Sequence, residues 1–279
     1  MSPSIASQAI CTAVLAAYAG SSAAAQCNDE WLCIDDVRHG GNVEVRAANQ
    51  QDVPITFTLR VRTRKMHPDG PATVTHTLEP RQSRQVMMLS PVEDGRRSNY
   101  RLYYDWTVGS LHADHDDDTV YRLPYAVGSS FRVLQGFGSR FSHTGLEEFA
   151  VDFKMAEGTP IHAARGGVVA RTEASHSIGC WQDDCGRYAN YIVILHDDGT
   201  TGEYYHLQQH GVLVETGERV AAGQKIGLSG NTGHTTVPHL HFAVYRAAAW
   251  GTTQSIPVRF LSTGGIVERP RRGARYEAS

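Results

Sequence analysis

The chain has 279 residues, of which 41% are hydrophobic and 20% charged; it can bury a sizeable core and most readily does so as two modest domains. A formal net charge of −3 gives no general attraction to nucleic acid or to an anionic membrane, so both are disfavoured as partners. With 27 glycines, 11 prolines and no long amphipathic repeat, the composition leans to β structure with many turns.

Residues 1–26, MSPSIASQAICTAVLAAYAGSSAAAQ, hold no charged side chain, are apolar in the middle and end in small residues. This reads as a secretory signal peptide cut after Ala23, Ala24 or Ala25, which places the mature protein in the periplasm or outside the cell. It departs from the usual pattern because no Lys or Arg precedes Arg38. Ser, Thr, Gln and Gly interrupt the segment, so a stable membrane anchor is not expected. Removal of the leader takes Cys11 away and leaves Cys27, Cys33, Cys180 and Cys185. An even number in an exported chain suggests disulfides, and the local pairs Cys27–Cys33 and Cys180–Cys185 close the shortest loops. The alternative for the second pair is a zinc knuckle with His176, which an oxidising compartment disfavours.

Residues 27–122 form the first expected domain. Asn42–Ala47, Pro54–Arg62, Ala72–Leu78, Arg84–Leu89 and Tyr100–Val108 alternate or are rich in β-branched and aromatic residues, and turn clusters such as HPDGP and EDGRRSN separate them. That spacing suggests a small antiparallel β-sandwich, for which an immunoglobulin-like arrangement is one form. His67, His76, His112 and His115 show no partner pattern. The stretch LHADHDDDTVY reads as a solvated acidic linker, with a bound divalent cation as the alternative. Pro124 marks the join to the second domain.

From Phe131 onward, strands punctuated by Gly turns predict an antiparallel β-sheet scaffold over 131–262, so the whole chain is expected to be mainly β. Near its end stands VPHLHFAVY, Val237 to Tyr245. A strand there places His239 and His241, two apart, on one face, where they can share a metal or divide metal binding and proton transfer between them. Residues 263–279, ending PRRGARYEAS, read as a basic, disordered tail.

The segment from Gln135 to Tyr245 carries SHTG with a later VDF, then GTPIHAARGGVV, YYHL, GERVAAGQKIGLSGNTG and PHLHF. In order and spacing it resembles the lysostaphin-type (LytM) zinc peptidases, which are peptidoglycan endopeptidases. The resemblance implies one Zn2+ per chain held by His143, Asp152 and His241, catalytic roles for His206 and His239, and peptidoglycan peptides as the partner. Family members usually place the aspartate four residues after the histidine. Here that position is Glu147, and Asp152 is preferred because GTPI follows it at the family's distance; Glu147 or Glu148 remains the alternative ligand.

The residue chemistry agrees, since two neutral imidazoles and one carboxylate leave zinc a position for water, as in catalytic sites. Two further functions are then needed, a base and donors to an oxyanion. His206 and His239 fit them without a decision as to which does which. Tyr204, two before His206, is expected on the same strand face as a further donor, with packing as its alternative. Asn231 is a candidate for the substrate side or for shaping the turn, where Gly230 and Gly233 suit positive φ. His162, His176, His196, His210 and His234 are expected to be structural. Two other readings stay open: a metal-free relative that binds and activates other wall hydrolases, and a binding protein whose main task lies in the first domain.

Overall fold

A computed structural model describes residue 27, residues 30–93 and residues 97–279, so the expected signal peptide and its cleavage site lie outside the described residues. The described residues divide into two compact units, one built from those between 27 and 111 together with 248–252, the other from 112–247 together with 253–279. Both are mainly antiparallel β structures, the second including two short parallel pairings. Among the described residues no helix is long and apolar enough to cross a membrane.

The first unit contains two sheets. One orders Leu32–His39, Asn42–Asn49, Ser83–Pro91 and Met66–Pro68; the other orders Thr73–Leu78, Ile55–Arg64 and Asn99–Val108. Period-two alternation buries Val43, Val45 and Ala47 from one strand and Ile55, Phe57 and Leu59 from another. The Trp31 and Trp106 rings stack at 4.8 Å, and the Tyr100 hydroxyl donates to Asp36. Five strands fall where the pattern predicts them. Leu32–His39 is not legible from alternation, because DDVRH follows a short apolar start. Its pairing is set instead by Gly40 and Gly41, which close a two-residue hairpin with Gly40 at φ +62°. Cys27–Cys33 and Cys180–Cys185 are both disulfides.

The second unit is built on a nine-stranded sheet. Its order is Arg219–Val220, Gly167–Glu173, Tyr191–Leu195, Thr201–Tyr205, His239–Ala247, Val151–Lys154, Ser130–Gln135 and Arg275–Glu277, with Thr253–Ile256 also pairing with His239–Ala247. One face packs Leu240, Phe242, Val244, Tyr204, Phe153, Ile192 and Ile194 into the main core, all of them fully buried. Burial of a Phe or Leu side chain there contributes about 1.5–3 kcal/mol. The opposite face carries His239, His241, Ala243 and Tyr245.

One expectation is corrected here. The tail is not disordered: Arg275–Glu277 pairs with Ser130–Gln135, Tyr276 opposite Phe131, and Ala278 is buried. Basic composition conceals this, because the strand supplies an edge and needs only Tyr276 and Ala278 on its inner side. The acidic stretch is solvated as expected, with Asp114, Asp116, Asp117 and Asp118 all exposed. It is also tethered: the covered His115 side chain has Nδ1 3.3 Å from Asp198, and the Asp114 amide donates to the Asp198 carbonyl at 3.0 Å.

Candidate metal centre

The register across the sheet assembles the centre. Gln135 lies opposite Asp152, Asp152 opposite His241, and His241 opposite Tyr205, so side chains from four strands stand in one row on one face. His239 sits one pleat along from His241 on the same face, opposite Lys154. His143 comes from outside the sheet. A tight turn, with the His143 amide donating to the Ser139 carbonyl at 3.0 Å, swings its ring over Asp152.

The distances follow from that framework. Asp152 Oδ1 is 2.9 Å from His241 Nδ1, 3.2 Å from His143 Nε2 and 3.8 Å from His239 Nε2. One ligand atom from each of His143, Asp152 and His241 lies within 4.8 Å of the others. His143 Nδ1 is 3.3 Å from the Gly136 carbonyl, so Nδ1–H donates there and the Nε2 lone pair turns towards Asp152. Close as it is to the carboxylate, that buried Nε2 makes no hydrogen bond, an orphan of the kind a metal satisfies. Asp152 Oδ2 is held separately by the Gln135 amide at 2.6 Å; Gln135 also donates to Ser142 Oγ at 2.8 Å and accepts from Ser139 Oγ at 3.0 Å. A residue on the neighbouring strand thus fixes the carboxylate plane. Sequence reasoning misses Gln135, and strand register is the signal that reveals its role.

The other two imidazoles are anchored alike. His206 Nδ1 is 2.7 Å from the Thr232 carbonyl and His239 Nδ1 is 2.7 Å from the Val237 carbonyl. Each Nδ1–H donates to a backbone oxygen, which leaves Nε2 as the acceptor of a neutral ring. The rings of His206 and His239 are 4.5 Å apart, and that of His206 is 6.0 Å from His241.

Charge is finely balanced. Burial alone would raise the Asp152 carboxyl, but the surrounding imidazoles, His239 with His143 and His241, outweigh it and hold the group well below the usual carboxylate range. Burial works against charge on His241 too, yet Asp152 on one side and Glu147 on the other push it up to about 10. Burial and the nearby His239 and His241 hold His206 well below the ordinary imidazole value, keeping it neutral. Glu147 belongs to the short 3-10 turn Gly145–Glu147, not to the group that converges on Asp152. Burial raises its carboxyl, but His241 and Tyr245 outweigh that and lower it. Burial drives Glu203 up to about 6, although Tyr205 and Thr201 donate to it at 2.8 and 2.9 Å.

Tyr204 is not part of this group. His206 adopts φ +66°, which breaks the alternation at the strand end, so His206 shares the face of Tyr205. Tyr204 points to the opposite face against Phe242, and its oxygen accepts from the Ala164 amide at 2.7 Å. Tyr204→Phe is therefore expected to leave catalysis within a few-fold and to cost about 1–3 kcal/mol of stability, because a buried N–H loses its acceptor; chemical denaturation and an activity assay together check this.

Asn231 accepts from Thr235 Oγ1 at 2.9 Å and shapes the turn. Gly233 has φ +85°, whereas Gly230 is needed for a different reason: a Cβ there would lie 2.3 Å from the Gln208 nitrogen. His234 stacks on Trp181 at 4.2 Å, and His196 Nδ1 faces the Gly166 carbonyl at 3.0 Å.

Two imidazoles and a carboxylate gathered on an antiparallel sheet, with two more imidazoles alongside, define a β protein bearing a candidate metal centre of hydrolase type. Residues 147–254 match the model of peptidase family M23. That range includes Asp152, His206, His239 and His241, while His143 lies just before it. Peptidoglycan DD-endopeptidase ShyA of Vibrio cholerae is 36% identical over 135 residues, covering 46% of this chain and 29% of that protein. Lysostaphin of Staphylococcus simulans is 36% identical over 122 residues, covering 43% and 22%. The solved catalytic domain of lysostaphin from Staphylococcus simulans is 31% identical, covers 45% of this chain and 88% of that one, and superposes with a TM-score of 0.34, which adds nothing to the sequence match. The chain spans less than a third of the length of these two curated relatives.

Proposed function

We propose that this chain is a zinc-dependent endopeptidase that hydrolyses peptide bonds in peptidoglycan cross-links or stem peptides. His143, Asp152 and His241 hold the zinc, the second unit is the peptidase domain, and the first is an accessory domain. The observation that carries the reading is the convergence of His143 Nε2, Asp152 Oδ1 and His241 Nδ1 around one point, with His143 Nε2 otherwise orphaned. The matches to peptidoglycan endopeptidases support the substrate class. Disulfides and the leader-like first 26 residues fit export to a compartment where peptidoglycan is met. The reading as a metal-free activator finds no missing ligand to favour it.

Zinc bound at this site lowers the pKa of water and polarises an amide carbonyl. The chain's own residues do the rest. Asp152, its second oxygen tied to Gln135, supplies the anionic ligand in a fixed plane. His206 and His239 present acceptor nitrogens, so one takes the proton of the attacking water and delivers it to the leaving amine. Its partner, on taking up a proton from solvent, would donate to the oxygen that gains charge. Mass spectrometry of muropeptides after incubation with the unmodified protein should show new cleavage products, and profiles identical to those left by His241→Ala would contradict the reading.

Zinc binding should release protons. In the metal-free protein His241 is charged at neutral pH, and a ligand must be neutral, so metal uptake displaces its proton. Affinity should weaken by about tenfold per unit fall in pH for each proton displaced, in the range below a pH of about 10. Calorimetry in buffers of different ionisation enthalpy checks this through the number of protons released. The raised pKa also fixes a sign for stability. The contribution of charged His241 is complete below its unfolded value of 6.5 and is lost as pH rises through about 10, so the metal-free protein should lose stability on the alkaline side.

A further inference from the structure

His241 has a second ring nitrogen, and its surroundings are as ordered as those of the first. Nε2 lies 3.2 Å from the Tyr245 hydroxyl, and that hydroxyl donates to Glu147 Oε2 at 2.5 Å. The same carboxylate oxygen is 3.6 Å from Nε2 directly. Tyr245 is four residues on from His241 along one strand and shares its face, where it is 2% exposed. Glu147 arrives from a separate segment, the turn Gly145–Glu147. That turn is pinned to the strand Thr253–Ile256 by the Phe149 amide on Ser255 Oγ at 3.0 Å and by Gln254 Nε2 on the Gly145 carbonyl at 3.2 Å.

The direction of this chain of hydrogen bonds is determined by its end. A carboxylate only accepts, so the Tyr245 proton points to Glu147, and the phenol oxygen is left to accept from His241 Nε2–H. With its proton on Nε2, a neutral His241 ring carries its lone pair on Nδ1, the nitrogen that faces Asp152 at 2.9 Å. Were the relay absent, either nitrogen could hold the proton and the ring could turn.

We propose that Tyr245 and Glu147 form an outer relay that positions His241, fixing its tautomer and ring orientation so that Nδ1 is presented to the metal. The relay rests on the reading of His143, Asp152 and His241 as a metal site. Tyr245 and Glu147 are positioning residues, since they act through His241 and touch neither substrate nor metal. A hydrogen-bonded partner on the distal nitrogen of a histidine ligand typically sustains about 10–100-fold in metal affinity.

The test measures zinc affinity of the full chain by competition with a chromophoric chelator, with no activity assay involved. Tyr245→Phe and Glu147→Ala should each weaken zinc binding about 10–100-fold. The double variant should bind no more weakly than the worse single, because both changes cut one chain. Glu147→Gln keeps an acceptor oxygen for the phenol and should recover most of the affinity. A purely structural role predicts something else: a lower thermal midpoint for the metal-free variants, losses that add, and unaltered affinity in the folded protein. If Tyr245→Phe and Glu147→Ala bind zinc as tightly as the unmodified chain while His241→Ala does not, the relay is wrong and the metal site stands. Should the unmodified, folded chain take up no zinc, the metal-site reading falls and the relay with it.

Discussion

Replacing His241 by alanine should lower peptidoglycan cleavage by about 10³-fold or more, since the metal's charge stabilisation is worth several kcal/mol and each 1.36 kcal/mol is about tenfold in rate. The reason lies in how His241 is placed. It occupies the central position of the row, between Asp152 and Tyr205, and its two ring nitrogens face side-chain partners, Asp152 at 2.9 Å and Tyr245 at 3.2 Å. Removal leaves Asp152 with one imidazole near enough to share a metal and takes away the positive neighbour that helps hold its carboxyl ionised. The product profile of His241→Ala beside that of the unmodified protein reads this directly, and a variant that still cleaves at more than about a tenth of the original rate would contradict the assignment.

His206→Ala and His239→Ala should behave differently from the ligand variants. Each is expected to lose about 10²–10⁴-fold in kcat, the usual weight of general acid–base catalysis, while zinc content stays near that of the unmodified chain. Neither ring belongs to the group of three atoms that converge, although His239 Nε2 stands 3.8 Å from Asp152. Zinc analysis paired with kinetics separates the roles: metal retained with rate lost marks a proton-transfer residue, and metal lost along with rate would move His206 or His239 into the ligand set. Because the two act on one reacting centre, the double variant should be little worse than either single.

Much of this centre is readable before any fold is known. The pair His239 and His241 announces itself through alternation alone, because Phe242 and Val244 require the opposite face of the same strand. The family resemblance favours Asp152 over Glu147 through the distance to GTPI, and the register adds what the sequence could not: Asp152 pairs with His241 across the sheet, while Glu147 rides on a separate turn. Tyr204 is misplaced when alternation is carried through His206, a residue whose positive φ ends it. Nothing local in YYHL announces that break. Gln135 and Tyr245 escape notice for a related reason. Their importance comes from partners on other segments of the chain, and a polar residue on a strand looks the same whether it faces solvent or a carboxylate. The tail strand at Arg275–Glu277 is hidden by its charge, since an edge strand with one covered side can be basic on the other.

The proposed activity depends on His143, Asp152 and His241 holding a single metal. The most direct test is the zinc content of the purified, folded protein and of Asp152→Ala, measured by elemental analysis after extensive dialysis. One zinc per chain is expected in the unmodified protein and little or none in Asp152→Ala. A folded protein without zinc, or one zinc per chain in both, would contradict the claim.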